Sequence, residues 1–185
     1  MKKALVTGAS SGLGKYISIE LSKKKIKVIG IARNKKKLEA LKKIIGNKYF
    51  DYVIFDLKQI DAIEKISKII LMKEKFIDIL INNAGIYKQS DLQNTKISEI
   101  NDLIDTNLKA PIILTKIFSQ IMKKKNKGYI INISSIAGKI PINNSSVYCG
   151  TKFGLHGFGS ALNKELKDNG IKVSTIFPGG INTPL

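Results

Sequence analysis

A doubly wound parallel α/β sheet is the fold this sequence predicts, and three observations predict it. Six short apolar runs alternate with helical stretches along 185 residues, the pattern of two successive βαβαβ halves. The runs are near-continuously apolar, as in strands covered on both faces. The first run also passes through a glycine-rich turn directly into a helical pattern, Gly8-Ala9-Ser10-Ser11-Gly12-Leu13-Gly14. No linker, repeat or low-complexity tract interrupts the pattern, so residues 1–185 form one domain with strand order 3-2-1-4-5-6.

Lys3 to Thr7 is the first strand. The glycines that follow are spaced G-x-x-x-G-x-G, and a helix runs from them to about Lys24. Glycine lets backbone N–H groups approach a pyrophosphate, and a helix N-terminus favours negative charge there. Lys27 to Ala32 is the second strand. In such folds a carboxylate at its end holds the ribose of NAD, whereas an arginine nearby accommodates the 2′-phosphate of NADP. Here Ala32 is followed by Arg33, the one arginine among 32 basic residues. Arg33 therefore favours NADP(H) over NAD(H).

Asn34 caps a helix reaching about Ile45. Tyr52 to Phe55 is the third strand, ending at Asp56-Leu57; Asp56 either meets an adenine edge or is a turn carboxylate. A helix over about 60–75 carries Ile63, Ile66, Ile69 and Ile70 at core spacing. Ile77 to Ile81 is the fourth strand. Asn82-Asn83-Ala84-Gly85 at its carboxyl end suits a ligand crevice. A long helical stretch over about 97–125 is interrupted by Pro111 and contains Asn107, a residue that mid-helix is usually exposed or bonded back to its own helix. Gly128 to Ser135 is the fifth strand, apolar at its centre and polar at its end. A helix from Tyr148 to about Lys167 follows and stops at Asn169-Gly170. Lys172 to Phe177 is the sixth strand, and Pro178 to Leu185 closes the sequence.

Tyr148 and Lys152 lie four residues apart at the start of a helix, hence on one face. An ammonium within reach of a phenol stabilises the phenolate and lowers its pKa, by about 1–3 units. Such a tyrosine can give or take a proton near neutral pH. A serine at the end of the preceding strand can hold a substrate oxygen beside it. Ser134 and Ser135 both qualify, and alternation along a strand lets only one of them face the site.

Formal net charge is +18, from 32 Lys+Arg against 14 Asp+Glu. The lysines fall in short clusters on several helices, which reads as solvated faces and not as a nucleic-acid or membrane surface. No apolar run has the length of a membrane helix. The short apolar run after Met1-Lys2-Lys3 is not a secretory leader. Cys149 is the single cysteine, so no internal disulfide forms, and a reducing, cytoplasmic setting is expected. No metal is expected.

At these residues the sequence resembles the short-chain dehydrogenase/reductase family. Thr7-Gly8-x-x-x-Gly12-x-Gly14 looks like the family's cofactor loop. Asn82-Asn83-Ala84-Gly85 looks like its N-N-A-G segment, and Pro178-Gly179 with Thr183 like its nicotinamide loop. Asn107, Ser135, Tyr148 and Lys152 fall where its catalytic tetrad falls, with Ser135 preferred to Ser134 by the family's spacing. The resemblance implies a Rossmann fold, hydride transfer between a nicotinamide and a carbonyl or alcohol carbon, and a homo-oligomer. Tyr148 would donate the proton in reduction. Lys152 would lower its pKa and hold the nicotinamide ribose, Ser135 would stabilise the reacting oxygen, and Asn107 would place a relay water. Thr7, Gly8, Ser10, Ser11, Gly12, Leu13, Gly14, Arg33, Asp56, Leu57, Asn83, Ala84 and Gly85 would bind the cofactor, with Pro178, Gly179, Ile181 and Thr183 at the carboxamide. Members of the family continue past this loop with substrate-covering helices and a seventh strand, which this sequence is expected to lack, so the resemblance names no substrate. A cofactor-binding or regulatory protein with little turnover is the alternative.

Overall fold

The fold is described from a computed structural model over residues 1–180. Among these residues six strands form one parallel sheet: β1 (Lys3–Thr7), β2 (Lys27–Ala32), β3 (Phe50–Ile54), β4 (Ile79–Asn82), β5 (Gly128–Ile133) and β6 (Ile171–Ile176). Their order is β3-β2-β1-β4-β5-β6, as the βα alternation requires. The order reverses between β1 and β4, and there the connections leave the sheet in opposite directions and open a crevice at the strands' carboxyl ends.

Alternate residues of each strand feed two cores. Leu5, Ile29, Leu80 and Ile130 pack toward α3 (Ile63–Glu74), α5 (Ala110–Lys124) and α6 (Ser146–Leu166), where Leu114, Phe118 and Leu166 meet them. Ala4, Val6, Val28 and Ile81 pack the other way, toward α1 (Gly12–Lys23) and α2 (Lys35–Ile45). The period of two along strands and of 3.6 along helices places these residues without further instruction. Asn34 accepts the Lys37 N–H at 3.0 Å, so α2 begins where its cap residue stands.

Some expectations shift. β3 begins two residues earlier, because Val28 to Ala32 of β2 pair with Phe50 to Ile54 and Phe50 is the fully buried side chain. Asp56 then lies in the turn beyond the strand. The stretch over 97–125 is not one helix: α4 (Ile97–Ile104) passes through a π-helical turn at Asp105–Lys109 before α5. Pro111 lies in the first turn of α5. It has no N–H for the carbonyl four residues back, and the ladder widens just before it.

The amino ends of β1 and β2 are held by one carboxylate. Glu74, only 3% exposed at the end of α3, accepts from Lys27 at 2.6 Å and pairs with Lys3 at 3.0 Å. Burial pushes its carboxyl upward, but the hydrogen bonds and charges of Lys27 and Lys3 outweigh this and hold it below the ordinary carboxylate value. A depressed carboxylate contributes stability above its unfolded pKa and loses it as pH falls through the folded one. Glu74→Gln should therefore cost about 1.5–3 kcal/mol near neutral pH, the range for hydrogen bonds to charged groups. The difference from wild type should close in acid, as the parent's own carboxyl protonates. Urea melts at pH 7 and pH 3 measure it, and equal stability of the two proteins at pH 7 would refute it.

Candidate active site

The crevice at the β1/β4 junction is a cleft of about 420 Å³. Its floor is a close approach of backbone. A side chain at Gly14 would put Cβ 2.3 Å from the Gly8 carbonyl oxygen and 2.5 Å from Asn83 Nδ2, and Gly8 itself has φ +68°. Both positions require glycine. The Thr7 hydroxyl accepts the backbone N–H groups of Asn83 (3.0 Å) and Ala84 (2.9 Å), while Asn83 Nδ2 donates to the Thr7 carbonyl at 2.8 Å. The loops after β1 and β4 are thus one unit, and Gly8, Ser11, Gly12, Leu13, Ala84 and Gly85 face the cleft from it.

The other wall comes from β5, α6 and the chain after β6. Ser135 caps the one-turn helix Ile136–Gly138 by accepting the Ala137 N–H, and its hydroxyl lies on the side of the Tyr148 phenol, whose ionised form it favours. Ser134 faces away: it is buried and donates to the Lys152 carbonyl at 3.0 Å. Both serines lie past the end of β5, which stops at Ile133 and not at Ser135, and the Ser135 hydroxyl is the one on the Tyr148 side. Pro178 and Gly179 line the same cleft, and the Ile136 N–H donates to the Pro178 carbonyl at 2.9 Å. Ile181 and Thr183 lie outside the described residues.

Tyr148 and Lys152 share a face of α6, but the electrostatics differ from the expectation. The Lys152 ammonium lies 5.7 Å from the centre of the Tyr148 ring and donates instead to the Ile133 carbonyl at 3.1 Å. Burial pushes the phenol of Tyr148 above its ordinary value, and the neighbouring Ser135 hydroxyl opposes this without cancelling it. Burial also lowers Lys152 to about 8. Desolvation acts on both groups and favours their neutral forms. Here burial, and not the lysine's charge, sets the direction of the tyrosine's shift.

Asn107 is neither exposed nor bonded back to its own helix. It is 1% exposed, its Oδ1 accepts the Ile86 N–H at 2.8 Å, and its Nδ2 donates to the Ile86 carbonyl at 2.9 Å. A Cβ at Gly85 would lie 3.4 Å from both Asn107 Oδ1 and Lys152 Nζ. That glycine therefore roofs the two side chains.

Arg33 and Asp56 stand further out, past the ends of β2 and β3. Their side chains are 3.8 Å apart, with the guanidinium 63% exposed. Asp56 also accepts the Lys58 N–H at 3.1 Å, a turn role. Leu57 is buried in the core, so only its backbone can meet a ligand. Ser10 lies in the turn before α1. Sequence reasoning missed Ile86 and Tyr87, which line the cleft, and the Ile133 carbonyl that holds Lys152. A signal for the first two was present: they directly follow Asn82-Asn83-Ala84-Gly85.

The cleft's residues fit a dinucleotide. A groove floored by glycines at a helix N-terminus admits a pyrophosphate, and a Cβ would close it. The comparisons agree. A family model described as short chain dehydrogenase matches residues 2–185. The chain is 38% identical over 184 residues to 3-oxoacyl-(acyl-carrier-protein) reductase FabG of Haemophilus influenzae, covering 100% of this chain and 76% of that protein. A short-chain dehydrogenase from Streptomyces avermitilis superposes with TM-score 0.94 at 30% identity, over 100% of this chain and 67% of the other. A metagenomic short-chain oxidoreductase solved in complex with NADP gives TM-score 0.92 at 35% identity, over 97% of this chain and 83% of the other.

The buried lysine has a thermodynamic consequence. The cost of holding Lys152 charged inside the protein is fully present below its folded value of about 8 and fades as pH rises toward 10.5. In the protein without cofactor, Lys152→Met should raise stability at pH 7. The charge relief is about 3 kcal/mol at most. Loss of the hydrogen bond to Ile133 offsets about 1 kcal/mol of that. Thermal melts at pH 7 and pH 10 check this, and a variant less stable than wild type at pH 7 would contradict it.

Proposed function

The chain belongs to the short-chain dehydrogenase/reductase family, and from that premise we propose that it interconverts a carbonyl and an alcohol, with Tyr148 as the acid and base. The observation that carries this reading is the convergence of Ser135 and Tyr148 on one side of the cleft, with Lys152 on the same helix face and Asn107 behind it, at the mouth of a glycine-floored cleft. A bound nicotinamide supplies the hydride donor or acceptor. Ser135 holds the substrate oxygen beside the phenol, where a preorganised donor is worth most. Tyr148 gives its proton to that oxygen in reduction and takes it back in oxidation. Lys152, tethered to the Ile133 carbonyl, reaches the same space and holds the ribose. Asn107 fixes the backbone of Ile86 and keeps the cleft wall in place.

We take NADP(H) to be the cofactor. Arg33 supports this, being exposed at the end of a strand that has Ala32 where NAD-binding folds carry a carboxylate. A relative solved with NADP supports it as well. Asp56, 3.8 Å from Arg33, is then the group that a 2′-phosphate displaces from the guanidinium. The single cysteine, buried at position 149, fits a reducing cytoplasmic setting. Ile97 and Ile104 of α4, 73% and 39% exposed, supply an apolar face for a homo-oligomer.

Two measurements test the reading. NADPH should bind at least about tenfold tighter than NADH, because a charge-assisted bond to the 2′-phosphate contributes roughly 1.5–3 kcal/mol. Arg33→Ala should erase that preference. Equal affinity of the parent for both cofactors, by fluorescence titration, would refute the cofactor assignment. Tyr148→Phe should bind NADPH almost normally and lose turnover of simple ketones, since the phenol acts mainly in the transition state. NADPH binding without turnover of any carbonyl by the parent would favour a cofactor-binding protein over an enzyme.

A further inference from the structure

Tyr87 stands in the cleft with no part in the chemistry above. Its ring meets that of Tyr148 edge-on, with centroids 4.8 Å apart and planes at 80°. Its hydroxyl lies 3.2 Å from Ser145 Oγ. Ser145 is buried directly before α6, and its carbonyl accepts the Cys149 N–H at 2.8 Å. Tyr87 therefore touches the acid/base residue with its ring and the mouth of that residue's helix with its hydroxyl.

The ring is held in place from both sides. Asn107 grips both backbone groups of the preceding residue, Ile86. Three residues on, the Ser90 N–H donates to the Asn144 carbonyl at 2.7 Å. The segment after β4 is thus pinned to the π-helical turn at one end and to the loop before α6 at the other. Tyr87, 39% exposed, sits between these pins with one flank to solvent and the other against Tyr148.

We propose that Tyr87 is the positioning residue for Tyr148: its ring screens the acid/base phenol from solvent and fixes the phenol's approach to the substrate, while its hydroxyl ties the loop after β4 to the start of α6. This rests on the assignment of Tyr148 as acid and base. Edge-to-face packing is directional, so it sets the tilt of the Tyr148 ring as well as covering it. Proton transfer depends on that geometry. The groups that face the phenol are Ser135 after β5, Tyr87 after β4, and Cys149 and Lys152 on α6 itself. Of these, Tyr87 is the exposed one, at 39% against 6% for Cys149 and 4% for Lys152, so it is the group that stands between the phenol's ring and solvent.

The experiment compares Tyr87→Leu, which removes the ring, with Tyr87→Phe, which keeps it and removes the tie. Tyrosine Cζ carbons are labelled with carbon-13 and titrated by NMR in the protein without cofactor, with the Tyr148 signal identified by its loss in Tyr148→Phe. In Tyr87→Leu the Tyr148 signal should titrate at lower pH than in the parent, because water relieves the burial that holds the phenol up. In Tyr87→Phe it should stay near the parental position. In steady-state NADPH oxidation, Tyr87→Leu should lower kcat by about tenfold or more, a part of the roughly 100- to 10,000-fold that a positioned general acid contributes. An unmoved Tyr148 titration in Tyr87→Leu overturns the proposal, whatever happens to kcat. If the parent reduces no carbonyl, the enzymatic reading fails separately, and the titration alone decides whether Tyr87 governs Tyr148.

Discussion

The hydroxyl of Thr7 holds the sheet's two halves together at the point where they part. At the β1/β4 junction the connections on either side leave in opposite directions, and the ladder between the two strands ends at Val6 and Ile81. Thr7 closes it by accepting two consecutive N–H groups of the next loop, while Asn83 returns a bond to the Thr7 carbonyl. This brings Asn83 so close to α1 that neither Gly8 nor Gly14 has room for a side chain. The glycine spacing and the Asn-Asn-Ala-Gly segment are two sides of one contact. The same contact leaves a helix N-terminus bare toward the cleft, which makes the floor suitable for a phosphate.

A second constraint opposes the first. Packing tight enough to hold Ser135, Tyr148 and Lys152 in register also removes water from them. Burial drives the phenol up and the ammonium down, to about 8. A lysine 4% exposed, with one carbonyl for a partner, is a site held against its own desolvation. The fold tolerates this because Ser134, one residue from Ser135, bonds the Lys152 backbone and anchors α6 to the end of β5. Adjacent serines thus separate two tasks. One fixes the helix that carries the pair, and the other faces the pair from the strand.

Much of this was legible in the sequence, for identifiable reasons. Continuous apolar runs and glycine punctuation are local signals, and the six strands and their order follow from them. Alternation along a strand says only that one of Ser134 and Ser135 can face the site, and the choice of Ser135 came from the family resemblance. The boundary of β3 did not, because Phe50 counts as strand only once Val28 stands opposite it. The state of the Tyr148–Lys152 pair was also illegible. Spacing places two residues on one helix face, but whether the ammonium points at the phenol or at the Ile133 carbonyl depends on where β5 ends. Tyr87 was missed because its significance is a contact with a residue 61 positions away.

Asn107 shows how a local irregularity can have a distant consequence. In an α-helix its carbonyl would accept the N–H of residue 111, but Pro111 has none to give. The ladder widens there, and the Ala110 N–H reaches back to the Asp105 carbonyl. The extra residue in that turn changes which way the following side chains point relative to a regular helix, a change often found at functional sites. Asn107 consequently faces inward, where both ends of its amide meet the backbone of Ile86. Ile86 is the hinge between Gly85, which roofs Asn107 and Lys152, and Tyr87, which packs on Tyr148. A missing N–H at Pro111 is thereby linked through one asparagine to the wall beside the proposed acid and base. The proline that seemed only to interrupt a helix is part of what shapes the cleft.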